Sequence, residues 1–319
     1  MVQHRIVGKD STAFLEKLTP ADIKGLSPYR ATLSVFTNPD GGIIDDLMIT
    51  KLDSDNSFYF VTNAGRRKED LEWLSKNLEN FSDIEHTILS DRGLIALQGP
   101  KAHIALQTIT DYPLDTIKFG NMAVATVMGI PDVFISRGGY TGEDGFELST
   151  PNPDSTVALA TRLLDNESIK LSGLGARDIL RLEAGLCLYG NDIDETTSPV
   201  EATLLWTVAK NRRTPGAFIG SERILQEIKD GVSRKRVGLV VDGAPARGGS
   251  EIFSVEEPDK QIGIITSGAP SPTVGKNIAM GYIEFGKHKS GTEVIVKTRG
   301  RGRKGVVAKM PFIETKYFK

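Results

Sequence analysis

Two adjacent carboxylates, Asp45 and Asp46, sit inside the apolar run Thr37-Asn-Pro-Asp-Gly-Gly-Ile-Ile-Asp-Asp-Leu-Met-Ile-Thr50. An acid held against apolar surroundings can store or pass a proton, or oppose positive charge as it develops on a bound molecule. Successive strand side chains point to opposite faces, so the two acids cannot share one, and one of them is expected to face the interior or a cleft. A carboxylate there needs a cation or hydrogen-bond donors, because an unpaired buried charge costs several kcal/mol. The other reading, that both acids leave the sheet and are solvated, stays open on spacing alone. The elements that position them are legible. Asn38, Pro39, Asp40, Gly41 and Gly42 make a tight turn, and Ile43, Ile44, Leu47, Met48 and Ile49 read as a buried strand.

Three further segments carry chemical potential. Arg137-Gly-Gly-Tyr-Thr-Gly-Glu-Asp-Gly-Phe-Glu-Leu148 is a glycine-dense turn between apolar strands, where backbone can approach a ligand while Tyr140 and Glu147 project from fixed points. A plain hairpin loop would have the same composition. Gly173-Leu-Gly-Ala-Arg-Asp178 begins like a dinucleotide-binding loop, but Asp178 occupies the third glycine slot. It reads better as a helix start, with Arg177 and Arg181 four apart on one face and able to meet carboxylates from elsewhere. Arg299-Gly-Arg-Gly-Arg-Lys304 is a local basic cluster without neighbouring aromatics for base stacking, so a solvated hairpin tip is expected, open to an acidic partner surface.

Composition narrows the rest. At 319 residues, 39% hydrophobic and 25% charged, the chain is expected to be an ordinary soluble protein of two or three domains. A formal charge of −2 gives no polyanion-binding signature, so no nucleic-acid partner is expected. The lone cysteine, Cys187, suits a reducing compartment and reads as a small buried hydrophobe in its apolar run. His4, His86, His103 and His288 lack metal-ligand spacing, and no metal is expected. No window has the apolar length to span a bilayer, so no membrane partner is expected, and the start is neither a secretory signal nor an Arg/Ser-rich transit peptide.

Along the chain the texture is mixed α and β. Ile6 to Gly8 ends a strand and precedes a helix with Phe14, Leu15 and Leu18 on one stripe. Leu94 to Gly99 repeats that unit, with Ala105, Leu106 and Ile109 at the same offsets from Gly99. Two related α+β domains would produce such a repeat. Phe58 to Thr62 reads as a strand, and Arg66 to Leu78 as a helix with Leu71, Leu74 and Leu78 on one side. Ile219 to Lys235 reads as an amphipathic helix running into a basic linker. Beyond a boundary near residue 234, short strands at Val237–Val241, Gln261–Thr266, Ile278–Ile283, Glu293–Lys297 and Gly305–Lys309 predict an all-β terminal domain.

The ordered motifs Gly41-Gly-Ile-Ile-Asp-Asp-Leu47, Leu97-Gln-Gly-Pro-Lys101, Tyr140-Thr-Gly-Glu-Asp-Gly-Phe-Glu147, Gly175-Ala-Arg-Asp178, Arg181-Leu-Glu-Ala184, Thr266-Ser-Gly268 and Ser271-Pro-Thr273 resemble those of the glycine cleavage system T-protein family, the aminomethyltransferases. The resemblance covers essentially the whole chain. Cys187-Leu-Tyr-Gly190 and Lys309-Met-Pro-Phe312 are similar to its eukaryotic, mitochondrial branch.

The resemblance implies an α+β, three-domain cloverleaf. Two antiparallel-sheet α+β domains would form a folate-binding region over 1–233, and a C-terminal all-β, jelly-roll-like barrel would cover 234–319. It implies transfer of a one-carbon unit from the aminomethyl group on the lipoyl arm of an H protein to tetrahydrofolate, with release of ammonia, in the mitochondrial matrix. By similarity Asp46 faces the folate and acts as the catalytic acid. Glu147 resembles the residue that hydrogen-bonds the pterin, Tyr140 one lining its slot, Arg177 one holding the folate tail and Tyr317 one closing over the ligand. Asn63, Met48 and Trp206 match wall positions. Leu33 and Phe119 stand where some relatives carry tyrosine, so the slot should be more apolar. Arg247, in Gly243-Ala-Pro-Ala-Arg247, resembles an arginine near the mouth taken by the lipoyl arm. Relatives also carry an opening segment ending Asp-Val-Ser-His-Met, whose last residue matches Met1, and that segment would add strands and part of the folate wall. Its absence here would leave a sheet edge open and weaken folate binding. The other reading is a folate-binding homologue without transferase activity. A homologue serving iron–sulfur assembly would carry K-G-C-Y-x-G-Q-E, where this chain has Leu188-Tyr-Gly190 followed by Asn191 to Glu195.

Overall fold

A computed structural model describes residues 1–53 and 56–319. The first sheet is five-stranded and antiparallel, in the order β2-β3-β4-β1-β5, from β1 (Val2–Val7), β2 (Ala31–Thr37), β3 (Ile43–Lys51), β4 (Ser57–Thr62) and β5 (Glu85–Ile88). Helices α1 (Ser11–Leu18) and α2 (Arg67–Leu78) cover one face. Between sheet and helices Phe14, Leu15, Leu18, Phe36, Phe58, Phe60 and Leu74 form a closed apolar core. Gly41 takes φ +74 in the turn before β3, and a Cβ on Gly42 would lie 1.7 Å from the Glu195 carbonyl oxygen. The turn therefore requires both glycines.

The second sheet runs β6-β9-β8-β7, from β6 (Gly93–Gln98), β7 (Met122–Val127), β8 (Ile130–Arg137) and β9 (Gly145–Thr150), with α3 (Ala102–Gln107) and α4 (Pro153–Leu164). Gly8 and Gly99 follow the first strand of each sheet at φ +133 and +117, and each leads into a helix whose apolar stripe is buried. The repeated strand-Gly-helix pattern is thus a repeated structural unit. After α5 (Leu174–Glu183) and α6 (Ser221–Asp230), six antiparallel strands close a barrel in the order β10-β13-β12-β11-β14-β15. They are β10 (Arg234–Val241), β11 (Glu251–Ser254), β12 (Gln261–Ser271), β13 (Lys276–Glu284), β14 (Glu293–Thr298) and β15 (Arg301–Ala308). The mixed α+β architecture expected from the sequence is the one observed.

Two local expectations need correction. The helix before the barrel stops at Asp230, because Gly231 turns to φ +89, and the basic residues that follow begin β10 rather than a linker. Arg234 pairs with Glu201 at 3.0 Å, and Arg236 is buried, donating to the Ala202 and Gly185 carbonyls. In α2 the inward residues are Asp70, Leu74 and Asn77, a stripe rotated away from Leu71. The cluster at Arg299–Lys304 is a hairpin, with Arg299 and Gly300 both at positive φ between β14 and β15.

Helix α5 fastens the barrel to the rest. Arg181, 1% exposed, pairs with Asp192 at 2.6 Å and donates to Ser267 Oγ at 2.9 Å, while Thr266 Oγ1 donates to Asp192. Glu183 accepts from Ser271 Oγ and from the Thr273 hydroxyl at 2.9 Å. The Thr266-Ser-Gly and Ser271-Pro-Thr motifs are therefore the barrel's half of this joint. Past the barrel the chain returns to the second sheet: the Phe119 amide donates to the Phe318 carbonyl at 2.8 Å, and Arg137 lies over the Phe318 ring.

Candidate active site

A β-bulge decides where the acids point. Phe36 pairs with Asp45 but Thr37 pairs with Ile43, leaving Ile44 as the extra residue. Ile44 consequently joins the core under α1 and α2, whereas Ile43 packs with Val35, Ile193, Ala202 and Leu204 on the opposite face. Asp45, paired with Phe36, is fully buried on the core side. Asp46, paired with Val35, is half-buried on the other side. The reading that both acids are solvated is excluded.

Asn63 grips both. Its backbone N–H donates to Asp45 Oδ2 at 2.9 Å, and its Nδ2 donates to Asp45 Oδ1 and Asp46 Oδ1, each at 2.9 Å. Asp45 meets the requirement for a partner with these donors and with the Asp70 carboxyl rather than with a cation. Burial raises the Asp46 carboxyl to about 7; the neighbouring Asp45 charge adds to this, and the Asn63 hydrogen bond and Arg177 oppose it. At neutral pH Asp46 can therefore either hold a proton or accept one.

Beside the acid on this sheet face lies an apolar pair: Leu33 and Met48 are direct cross-strand neighbours, and Met48 also faces Val61. From the second sheet and α5 come polar groups. The Arg177 guanidinium lies 4.3 Å over the Tyr140 ring, and the Tyr140 hydroxyl donates to the Cys187 carbonyl. Arg177 acts electrostatically on both Asp46 and Glu147, and Glu147 is raised by burial. The tail closes a third side. Tyr317 stacks on Phe119 with ring centres 4.1 Å apart, and the Gly120 carbonyl accepts from Ala31 N–H at the start of β2. Cys187 is pushed up to about 12 by burial, so it is a neutral thiol in an apolar cluster with Tyr189.

The structure thus groups Asp46, Asn63, Tyr140, Glu147 and Arg177, the apolar pair Leu33 and Met48, and the stack of Phe119 and Tyr317. It does not bring every expected residue into that group. Trp206 is 62% exposed in a turn beside β2. Arg247 is exposed on the barrel, where its Nη1 donates to the Gly268 carbonyl at 2.9 Å. Among the described residues no hydrogen bond, ion pair or ring contact joins either of them to Asp46. The sequence reading missed Asp70. Its signal was the i,i+4 spacing to Leu74, which places it on the buried stripe of α2. Among the described residues no group of His, Cys, Asp and Glu could hold a metal, and no helix is long and apolar enough to cross a membrane.

Two sheets and a barrel that bring together a proton-poised acid, an arginine resting on a tyrosine ring and a pair of stacked aromatics define an α+β protein with a candidate ligand site between its parts. Comparison with known proteins narrows that class. Residues 1–212 match the GCVT N-terminal domain and residues 234–314 the glycine cleavage T-protein C-terminal barrel domain. A protein named probable aminomethyltransferase, mitochondrial, from Schizosaccharomyces pombe is 49% identical over 320 residues, spanning 100% of this chain and 81% of its own length. The mitochondrial aminomethyltransferase of Mus musculus is 44% identical over 322 residues, spanning 100% and 79%. The crystal structure of the glycine cleavage system aminomethyltransferase T from Bartonella henselae superposes with a TM-score of 0.92 at 38% identity, covering 100% of this chain and 85% of that one. The chain belongs to the glycine cleavage T-protein family of aminomethyltransferases.

Proposed function

We propose that the chain moves a one-carbon unit from the aminomethyl-lipoyl arm of an H protein to tetrahydrofolate. The observation that carries this reading is Asp46: an acid raised to about 7, facing a slot with Arg177 and Glu147 and backed by Asn63. A flat pterin suits the apolar walls of Leu33 and Met48 and the stack of Phe119 and Tyr317. Glu147 can accept from the pterin's ring donors, and Arg177, unpaired among the described residues, can grip the anionic tail. Trp206 and Arg247, both exposed, would meet the tail or the arm.

The transfer balances without an added oxidant or reductant. The aminomethyl carbon breaks its bonds to nitrogen and to sulfur and is inserted between folate N5 and N10. The two folate N–H hydrogens leave with the products, one completing ammonia and the other the lipoyl thiol. Positive charge develops on the carbon–nitrogen fragment between these steps. Asp46 is placed to oppose that charge as a carboxylate and to take a proton from the attacking folate nitrogen. The relatives' names place them in mitochondria, and we assign this chain to the matrix with them.

The test mixes the purified chain with aminomethyl-loaded H protein and tetrahydrofolate and follows ammonia and methylene-tetrahydrofolate together. Both products should appear in equal amounts. Folate binding without either product would support the non-catalytic homologue instead.

A further inference from the structure

Behind the reacting face lies an acid that the transfer does not use. Asp70 is fully buried on α2, and neither of its carboxyl oxygens meets an N–H or O–H donor in hydrogen-bond geometry. Facing it is a second carboxyl, Asp45 of β3, within hydrogen-bonding reach. The other groups on the pair are the Thr62 hydroxyl at the end of β4 and the Arg66 guanidinium just before α2. Two ionised carboxylates in contact inside a core repel, and neither can donate; one proton between them converts the contact into a hydrogen bond.

The surroundings say which acid carries that proton. Both Asp45 oxygens already accept from Asn63, at 2.9 Å each, so Asp45 sits in a site built for an anion. Asp70 has only the Thr62 hydroxyl beside it, outside hydrogen-bond geometry, so although burial raises both carboxyls the donors favour charge on Asp45. The same Asn63 amide that holds Asp45 also holds Asp46 Oδ1. Reading Asp46 as the reacting acid, we propose that Asp70 is a positioning residue: a neutral carboxylic acid that donates to Asp45, keeps Asp45 anionic, and so keeps Asp46 able to hold a proton at neutral pH. Burial, then the Asp45 charge, pushes the Asp70 carboxyl up to about 9, against Thr62 and Arg66. Asp46 in turn feels the Asp45 charge from within the sheet and Arg177 from α5.

Two measurements on the full chain decide it. The first is infrared absorption of a protonated carboxyl at pH 7.5, compared between the parent and Asp70→Asn. The parent should carry a component of this band that the variant lacks, above the partial absorption that Asp46 contributes to both, with no dependence on turnover. An identical spectrum in this region shows Asp70 ionised and overturns the proposal.

The second is the pH profile of turnover. Asp70→Asn offers an amide N–H to Asp45 and should rescue the acid limb to its parental position. Asp70→Leu removes the donor, so Asp45 takes up a proton itself and stops lifting Asp46. The acid limb should then move down by about one pH unit, with kcat altered more than KM. Asp70→Ala serves if the leucine variant does not fold. A band lost in Asp70→Asn together with an unmoved limb in the leucine or alanine variant overturns the positioning role. A parent with the band but no turnover overturns the reading of Asp46 and the positioning role with it, leaving a protonated pair that is structural.

Discussion

The Arg177 guanidinium rests on the face of Tyr140 with 4.3 Å between them, and among the described residues no carboxylate is locked to it. A ring face orients a cation without neutralising it, at a gain of about 0.5–1 kcal/mol where the pair is exposed. The neighbouring Arg181 is spent in the opposite way, on a buried aspartate. Two arginines one helical turn apart therefore divide between ligand and architecture.

Replacing Arg177 with Lys keeps the charge but loses the planar fork and its stacking on Tyr140. Tetrahydrofolate affinity should fall about tenfold, or about 1.4 kcal/mol, with a changed dependence on polyglutamate length. Titration calorimetry checks this. Unaltered affinity would assign the side chain to the helix rather than to the ligand.

Asp46→Asn should preserve the fold and cost on the order of 10²–10⁴ in turnover, because it keeps the shape and deletes the charge. In the parent, turnover should rise with pH through about 7 as the carboxyl ionises. The Asn variant should lose that limb. A stopped assay over pH 6–9 reads both effects, and a full-strength limb in Asp46→Asn would assign it to another group.

Asp45→Asn has a different expected outcome, since an amide there must turn an N–H toward one of the two Asn63 donors. Its principal effect should be on stability, about 1–3 kcal/mol for an unsatisfied buried donor. Denaturant unfolding compared with Asp46→Asn tells the two acids apart. Equal stability of the two variants would contradict the face assignment.

His4 predicts acid sensitivity. It is fully buried against Phe60 and His86, and burial, then the neighbouring His86 and Arg67, lowers it from 6.5 to about 3. The unfolded chain binds the proton that the folded chain refuses, so stability is complete above pH 6.5 and declines as pH falls toward 3. At pH 5 this one group should remove about 2 kcal/mol. Melting at pH 5 and pH 7.5 for the parent and His4→Asn should show the larger drop in the parent.

Asp192→Ala leaves the buried Arg181 with only the half-exposed Asp178, 2.7 Å away, inside the joint between α5 and the barrel, and should cost about 3 kcal/mol. Limited proteolysis should then cut between the barrel and the preceding body sooner than in the parent. An unchanged melt would mean that Asp178 holds the charge unaided.

The sequence made five of the six barrel strands legible because their alternation and turn residues are local signals, and missed the four-residue β11 (Glu251–Ser254); it made the acid pair conspicuous because two charges interrupt one apolar run. It could not assign Asp45 and Asp46 to faces, since that depends on a bulge at Ile44 set by pairing with β2. The barrel partners of Arg181 and Glu183, namely Ser267, Ser271 and Thr273, lie 86 to 90 positions along the chain and carry no local signal at all. Asp70 was readable in principle from its spacing to Leu74, but a charged residue in a charged helix looks like a solvated one.

The stack of Tyr317 on Phe119 has a consequence for the order in which the protein assembles. The two rings lie far apart along the chain, with the whole barrel between them, and meet beside the second sheet. Contacts between distant positions carry a loop-closure cost that local ones do not, so they form late in folding. The side of the site that these rings make should therefore close only once the second sheet and the barrel have both formed, and ligand capture follows folding rather than guiding it.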